Sequence, residues 1–332
     1  MSIAKENAVP VLDFGLFTKS ATDRELLVQQ VSTACENSGF MIIRNHGVSE
    51  RVIDECWQKS IAFFDSPLEN RMTATSDELA HPYCYHGIEA ESLAKSLGDA
   101  TPPDLKETFN VGPLDTPCAV VDQDMRPEFS AFVNARNIWP QQPAGFQNAL
   151  ESYFKHIRVL SDQVMEVFAL ALRLPHDYFA DRFSRPMSAM RVINYPALEK
   201  PPLAGQLRAG AHTDYGTLTL LLQQNSRSGL QVFSGGQWQD VPAIPGTFVV
   251  NIGDLMARWT NDRWTSTLHR VVNPPMVSAV PSRRQSLVFF HTPNWETGIE
   301  CIPTCLAESE KPRYEPVLAG PHLAGKFIST VE

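Results

Sequence analysis

The spacing of apolar residues predicts helices in the first half of the chain. Thr22 and Glu25 form a capping-box pattern, and the apolar positions that follow recur at helical spacing until Gly39. A second amphipathic stretch predicts a helix that begins near Ser49. A third, over residues 144–172, is long enough to form a structural spine beneath a sheet.

Short apolar runs bounded by Gly, Pro and Asn predict β-strands, most of them after Arg185. The predicted strands are residues 40–43, 107–111, 190–195, 217–224, 229–233, 247–252, 268–272 and 285–290. Short strands at this regular spacing are typical of an antiparallel sandwich or barrel. The pattern therefore predicts a mainly β fold with flanking helices (α+β), in which a helical N-terminal region packs on an all-β core.

The same change of pattern divides the chain into three regions. Residues 1–140 contain the first helices and a loop-rich stretch, residues 141–184 contain the spine helix, and residues 185–332 contain the strands and a C-terminal tail. We find no internal repeat and no low-complexity tract in any of them.

Composition and charge narrow the functional classes. Of the 332 residues, 43% are hydrophobic and 20% are charged, as expected of a globular protein with a sizeable core. The formal net charge is −9 without a cluster of Lys and Arg, which argues against a nucleic-acid partner. No stretch resembles a signal peptide or a membrane span, so we expect a cytoplasmic protein without a membrane partner. The six scattered cysteines predict reduced thiols.

Three residues in the strand-rich region have the spacing of a metal site. His212 and Asp214 lie two residues apart in an extended segment, so their side chains point to the same side. His269 lies on a later predicted strand. Two histidines and one carboxylate on one face of an octahedral ion leave three positions open, which is typical of non-haem iron(II) oxygenases.

Arg284 and Ser286 alternate at the start of the last predicted strand, so their side chains share one face. An arginine can bind a carboxylate through two hydrogen bonds, and a serine hydroxyl two residues away can donate to the same oxygens. Iron(II) with one aspartate keeps a net charge of +1, whereas a dicarboxylate brings two negative charges. The second carboxylate therefore needs a fixed cation. Each feature alone has an ordinary structural explanation, but their combination predicts a metal and cosubstrate site.

Several segments of the chain resemble the isopenicillin N synthase-like family of 2-oxoglutarate/iron(II)-dependent dioxygenases, and together they cover nearly its whole length. They are 210–216 (GAHTDYG), 268–271 (LHRV), 284–286 (RQS), 229–232 (GLQV), 251–254 (NIGD), 35–48, 104–107 (DLKE) and 314–316 (YEP). The resemblance implies a double-stranded β-helix (jelly-roll) core within residues 185–332, preceded by the spine helix and an N-terminal dioxygenase region.

The resemblance also implies roles for individual residues. His212, Asp214 and His269 would hold the iron, while Arg284 and Ser286 would bind the C5 carboxylate of 2-oxoglutarate.

The resemblance implies two further residues for cosubstrate binding, Tyr195 and Asn194. The sequence departs from the family pattern at the neighbouring position 193. Tyr195 resembles the family tyrosine that contacts the cosubstrate. Plant members often read Asn-Tyr-Tyr-Pro, whereas this chain has Ile193 at the asparagine position. The role of that asparagine is therefore either lost or taken over by Asn194.

The implied reaction uses Fe(II), 2-oxoglutarate and O2, with ascorbate as a candidate stimulant. Oxidative decarboxylation of 2-oxoglutarate to succinate and CO2 accompanies oxidation of a small-molecule substrate, in secondary metabolism for many members. The outcome can be hydroxylation, desaturation or ring closure.

Four residues are candidates for contact with the substrate. Phe109 and Asn110 lie on a predicted strand that borders the pocket in the family, and Phe289 and His291 lie at the end of the last strand. The competing interpretation places both phenylalanines in the core, where aromatic residues usually pack, and His291 at the surface.

Three other functions fit the same sequence features. One is an iron oxidase of this fold that does not use 2-oxoglutarate; isopenicillin N synthase is an example. A second is fragmentation of 2-oxoglutarate to ethylene. A third is a metal-binding jelly roll without catalysis, which the pairing of open metal positions with an arginine argues against.

Overall fold

The computed structural model describes residues 9–77, 81–98, 101–115, 125–224, 229–275 and 282–331. Its helices are α1 (Ala21–Asn37), α2 (Glu50–Phe64), α3 (Leu68–Met72), α4 (Pro127–Asn134), α5 (Phe146–Ala171), α6 (Asp254–Trp259) and α7 (Ala319–Val331). Its strands are β1 (Val11–Asp13), β2 (Phe40–Arg44), β3 (Tyr85–His86), β4 (Glu107–Val111), β5 (Ala189–Tyr195), β6 (Ala209–His212), β7 (Leu218–Gln223), β8 (Leu230–Ser234), β9 (Gln237–Asp240), β10 (Phe248–Ile252), β11 (His269–Val271), β12 (Arg284–His291), β13 (Gly298–Ile299) and β14 (Val317–Leu318).

Two sheets form the β-core. The large sheet has the order β1-β2-β10-β7-β12-β5-β4-β3, and the small sheet has the order β6-β11-β8-β9. From β5 to β12 the chain passes repeatedly from one sheet to the other, so that β5, β7, β10 and β12 belong to the large sheet. This arrangement confirms the predicted jelly-roll core with flanking helices.

The large sheet is buried on both faces, and alternate residues of each strand divide between them. One face packs against the helices; for example, the rings of Phe289 on β12 and Phe154 on α5 lie 5.0 Å apart. The other face is turned towards the small sheet and holds a separate hydrophobic cluster that includes Val288 and Ile193. Each strand therefore presents one set of residues to the helices and the other set to the space between the sheets.

Helix α5 is the predicted spine. Most of its residues are buried, and it packs against α1, α2 and β12. A helix of this length, with apolar residues on more than one face, can support the sheet and the N-terminal helices at once.

The ends of α1 show one correct and one wrong prediction. The helix is capped by Ser20, whose Oγ accepts a hydrogen bond from the Asp23 amide at 3.1 Å, so the predicted start at Thr22 was wrong. At the other end, Gly39 has a φ of +64°. A Cβ there would lie 1.9 Å from the Thr265 carbonyl oxygen, so only glycine fits at the end of this helix.

All of the predicted strands are present, with ends that differ by at most one residue. Several other elements were not predicted, because they are short, polar, or interrupted by Gly and Pro. They are β1, β3, β6, β9, β13, β14, α3, α4, α6 and α7.

Two further properties concern only the part of the chain that the structure describes. The five cysteines in it are free thiols, while Cys118 lies outside that part. None of its helices is both long and apolar enough to cross a membrane.

Candidate active site

The pairing of β6 with β11 brings two histidines together. His212 is the last residue of β6, and it is the register partner of His269 on β11. Their ring centroids lie 4.3 Å apart. His212 thus ends a strand of the small sheet, in agreement with the extended segment that the sequence predicted there.

Asp214 completes a group that can hold a metal ion. It lies in the turn after β6, and its Oδ1 is 3.9 Å from the Nε2 atom of His212 and 3.6 Å from that of His269. Among the described residues, these three form the one group of His, Cys, Asp or Glu side chains with this geometry.

Backbone carbonyls orient both imidazoles. The Nδ1 atom of His212 is 2.8 Å from the Gly210 oxygen, and that of His269 is 3.1 Å from the Thr267 oxygen. Because a carbonyl only accepts, each Nδ1 carries the proton, and each Nε2 keeps its lone pair for a metal. Burial, together with the neighbouring His269, lowers the pKa of His212 to about 3. This ring is therefore neutral, as a ligand must be.

The carboxylate of Asp214 is held by two side chains. Its Oδ2 accepts hydrogen bonds from Thr219 Oγ1 at 2.6 Å and from Asn251 Nδ2 at 2.7 Å, which leaves Oδ1 directed towards the histidines. Burial alone would raise the pKa of Asp214, but the two histidines and these hydrogen bonds lower it overall. The carboxylate is thus ionised in the form that binds cations.

The turn that carries Asp214 is fixed by the start of α6. The Asp254 and Leu255 amides donate to the carbonyl oxygens of Asp214 and Gly216, at 2.7 and 3.0 Å. The contact is so close that a Cβ at Gly253 would lie 2.3 Å from the Gly216 oxygen. The sequence motif that contains Asn251 and Gly253 therefore supports the aspartate, a role that sequence reasoning missed.

Arg284 and Ser286 lie on β12, on the face turned towards the small sheet. Arg284 is 2% exposed, and its guanidinium lies 4.8 Å from the centre of the Tyr195 ring. Its Nη2 donates to Gln223 Oε1 at 3.3 Å. Among the described residues, its Nε and Nη1 and the Ser286 Oγ have no hydrogen-bond partner.

A buried cation with unused donors requires an anion. The donors of Arg284 match the two oxygens of a carboxylate, and the Ser286 hydroxyl can add a third hydrogen bond. These orphaned atoms therefore fit the distal carboxylate of 2-oxoglutarate.

One cavity of about 230 Å³ joins the metal ligands to this cationic end. It lies between the two sheets, and Tyr195 and Asn110 also line it. The cavity thus brings the predicted metal residues together with four other predicted residues: Arg284, Ser286, Tyr195 and Asn110.

Asn194, in contrast, lies on the other face of β5. Its Nδ2 donates to Glu107 Oε1 at 2.7 Å, and its Oδ1 accepts from Arg283 Nε at 2.9 Å. The predicted cosubstrate role of Asn194 is therefore corrected: strand alternation turns it away from the cavity, and both ends of its amide are already bound.

Phe109, Phe289 and His291 also lie outside the cavity. Phe109 and Phe289 are 1% and 0% exposed and belong to the hydrophobic core next to the helices. His291 is fully buried between Ser188 and Asp162. Their predicted substrate contacts are corrected, since all three occupy strand positions that face the helices. Arg284 and Ser286 already gave the alternation that identifies Phe290 as the cavity residue at this end of β12.

Comparison with known proteins identifies the family of this chain. Residues 186–293 match the 2OG-Fe(II) oxygenase superfamily, and residues 9–142 match the N-terminal region described as non-haem dioxygenase in morphine synthesis. The 2-oxoglutarate-Fe(II) type oxidoreductase hxnY of Emericella nidulans is 32% identical, over 96% of this chain and 89% of that protein. Homoarginine-6-hydroxylase 2-ODD-C23 of Glycine max is 29% identical, over 97% of each chain.

The same relationship is seen in solved structures. The crystal structure of a full-length Neurospora crassa protein in complex with alpha-KG and thymine superposes with a TM-score of 0.82, at 29% identity and over 97% of each chain. From the sequence relatives, the shared fold and the metal group, this chain belongs to the family of 2-oxoglutarate- and iron(II)-dependent oxygenases, oxidoreductases that use Fe(II), 2-oxoglutarate and O2.

Proposed function

We propose that this enzyme hydroxylates a C–H bond of a small organic molecule that binds beside the metal group. In the overall reaction, the substrate, 2-oxoglutarate and O2 yield the hydroxylated product, succinate and CO2. One observation supports this most: the triad and the orphaned donors of Arg284 and Ser286 line the same cavity.

In this proposal, His212, Asp214 and His269 would hold Fe(II) in the cavity that 2-oxoglutarate would also enter. The bound iron supplies the oxidising chemistry. The protein orients the ligands through the hydrogen bonds to Gly210, Thr267, Thr219 and Asn251, and residues from both sheets enclose the site and restrict access of water.

The charges of the site support a dicarboxylate cosubstrate. Fe(II) with Asp214 has a net charge of +1, which offsets one carboxylate of 2-oxoglutarate. Arg284 offsets the other, with the Ser286 hydroxyl as a further donor and Tyr195 packed against the guanidinium. Both ends of the cosubstrate would thus be neutralised without water.

The size of the cavity supports a small substrate. Its volume of about 230 Å³ is below the roughly 300–1,000 Å³ typical of sites for drug-sized ligands. Relatives point the same way, since one solved structure holds thymine and another relative is named for hydroxylation of homoarginine. The hydroxylase names favour hydroxylation over desaturation or ring closure, and no observation favours the three alternative functions.

The first test uses anaerobic protein supplied with Fe(II) and 2-oxoglutarate. We expect a weak visible metal-to-ligand charge-transfer band, and substrate-dependent formation of succinate after O2 is admitted. A correctly metallated protein that shows no band would contradict the assignment of 2-oxoglutarate as cosubstrate.

The second test compares two neighbouring arginines. Arg284→Gln should raise the apparent KM for 2-oxoglutarate by about two to three orders of magnitude, because loss of a buried charge-assisted pair costs several kcal/mol. Arg283 is the matched control: it faces away from the cavity and pairs with Asp65 and Asn194. Arg283→Gln should leave this KM close to the wild-type value. Equal effects of the two substitutions would place the cosubstrate elsewhere.

A further inference from the structure

A polar pair lies on the cavity wall formed by β4 and β5. Asn110 on β4 and Arg191 on β5 are register partners, so their side chains project from the same face of the sheet. Both residues line the cavity that contains the metal ligands. Neither has a part in the binding of iron or 2-oxoglutarate proposed above.

Asn110 presents an unused acceptor. Its Nδ2 donates to the Pro82 carbonyl oxygen at 3.1 Å, and because that oxygen only accepts, the orientation of the amide is fixed. The opposite atom, Oδ1, is buried and has no partner among the residues that the structure describes. Asn110 is only 4% exposed, so this acceptor requires a donor from a bound molecule.

Arg191 presents donors beside this acceptor. Its Nη1 donates to Glu91 Oε2 at 2.9 Å, the one hydrogen bond of its guanidinium within the described parts of the chain. The remaining N–H groups are available to a ligand in the cavity. The wall therefore offers an acceptor and a donor side by side.

The charges on this wall are balanced. Lys106 lies 3.3 Å from Glu91 and 3.0 Å from Asp104, so two cations face two carboxylates. Burial alone would raise the pKa of Glu91, but Arg191 and Lys106 lower it to about 2, and the carboxylate stays ionised. A charged substrate group here would be buried without a counter-ion, which disfavours it. The wall suits a neutral ligand.

Aromatic side chains limit the shape of that ligand. Tyr83 and Phe132, with ring centroids 6.0 Å apart, line the cavity near Asn110, and Phe290 lines it from β12. Flat apolar surfaces of this kind favour a planar ring.

We propose that Asn110 and Arg191 recognise the substrate through adjacent N–H and C=O groups, and that the substrate is a neutral, planar cyclic amide or imide. The ligand N–H donates to Asn110 Oδ1, and the ligand carbonyl accepts from the Arg191 guanidinium. This inference rests on the proposed function, because it names the substrate class of the same cavity.

The test uses the wild-type protein loaded anaerobically with Fe(II) and 2-oxoglutarate. The probes are glutarimide and uracil, with N-methylglutarimide and 1,3-dimethyluracil as analogues that lack the N–H donor, and homoarginine and proline as charged compounds. Binding is read from the change in the charge-transfer band, and turnover from succinate formation. We expect at least one N–H probe to bind about tenfold or more tightly than its N-methyl analogue and than either charged compound.

Two substitutions locate the contact. Asn110→Leu, which keeps the approximate volume, and Arg191→Gln should each weaken binding of the N–H probe about tenfold or more. Asn110→Leu should also remove its advantage over the N-methyl analogue. The control is Thr108→Val, which removes a buried, unpartnered hydroxyl from the same strand without touching the cavity. It should leave both affinities unchanged.

The outcomes separate this inference from the proposed function. A wild-type protein without the charge-transfer band would overturn both. A normal band that no cyclic amide or imide perturbs would overturn the inference alone, as would equal affinity for the N–H and N-methyl probes or preferential binding of a charged compound. Because the ligand pairs are compared in wild type, the test holds even where a variant folds poorly.

Discussion

His291 is a titratable side chain that the protein buries completely, on the face of β12 opposite the cavity. Its Nδ1 lies 2.9 Å from Ser188 Oγ and its Nε2 lies 3.3 Å from Asp162 Oδ1, while its ring stacks on Phe183. Burial lowers its pKa; Asp162 partly offsets this, and Arg158 adds to it. The neutral ring is therefore the form that the folded state favours.

This burial predicts an acid-sensitive contribution to stability. An unfolded histidine titrates near pH ~6.5, whereas the folded one takes up its proton at lower pH. The contribution of the neutral ring to stability is thus complete above the pKa of the unfolded histidine, and it is lost as the pH falls towards the lower pKa of the folded one. We expect the free energy of unfolding to decline on acidification, and His291→Gln to reduce the decline.

Urea denaturation at a series of pH values measures this effect. His156→Gln is the control, since His156 is exposed on α5. In His291→Gln, the decline of the free energy of unfolding with falling pH should be reduced rather than abolished. Burial lowers the pKa of His46, His86 and His322 as well, so these histidines still contribute to the decline. Identical slopes for His291→Gln and wild type would contradict the prediction.

At the residue level, sequence spacing identified the residues of the proposed metal group and not the residues that support them. His212 and Asp214 are two positions apart, with Thr213 between them, and that spacing predicted that their side chains point to the same side. Thr219 and Asn251, which hold the Asp214 carboxylate, lie on two different strands. Their roles depend on which strands become neighbours, and the local pattern does not contain that information.

At the level of the element, strand alternation decides which predicted residues reach the cavity. The sequence identified β4, β5 and β12 correctly, but it did not show which face of each strand looks inward, because both faces are buried. In such strands, hydrophobicity does not show which alternate residues face the cavity. The polar residues Arg284 and Ser286 do show it for β12. Their register partners on β5, Tyr195 and Ile193, face the same way.

The strand face on which a phenylalanine lies predicts how much stability its replacement by alanine costs. Phe109 packs against the rings of Phe63, Phe146 and Trp139, at centroid distances of 5.2, 4.9 and 5.6 Å. Phe109→Ala should lower the free energy of unfolding by about 3–5 kcal/mol, because it leaves a cavity in a closely packed core.

The comparison is with Phe290→Ala, which alters a partly buried side chain in the ligand cavity. Its loss of stability in urea denaturation should be smaller, since the site already contains open space. A Phe109→Ala variant as stable as Phe290→Ala would argue against the assigned strand faces.

At the level of the whole molecule, the ligands of the proposed site come from both sheets. The histidines belong to the small sheet, whereas Arg284 and Ser286 belong to the large one. Metal and cosubstrate bound together would therefore connect the two halves of the jelly roll, and preferential binding to the folded state would stabilise it.

This linkage predicts a rise in the melting temperature. Mn(II) and 2-oxoglutarate, each at a hundred times its Kd, should stabilise the protein by about 2.7 kcal/mol or more. That corresponds to a shift on the order of 5 °C. The shift should vanish with EDTA and be lost in Asp214→Ala, while His156→Gln should show the wild-type shift. A shift that persists in Asp214→Ala would place the metal at another site.

The overall architecture could be predicted because its strands are short, apolar and regularly spaced. The small sheet was the weakest part of that prediction, since β6 and β9 contain few large apolar residues. The helix α7 was missed for a similar reason, because Gly and Pro interrupt its sequence. Tertiary packing stabilises these elements, and local propensity alone does not reveal them.

The register of His212 with His269 links metal binding to the correct assembly of the chain. A slip of one residue in the pairing of β11 with β6 would turn the His269 side chain to the opposite face of the sheet. The two strands are far apart in sequence, so the site requires a long-range pairing to form in the correct register. In the proposed site, metal affinity would therefore report on correct strand pairing, because a molecule in which His269 faces the other way would lack one of the three ligands.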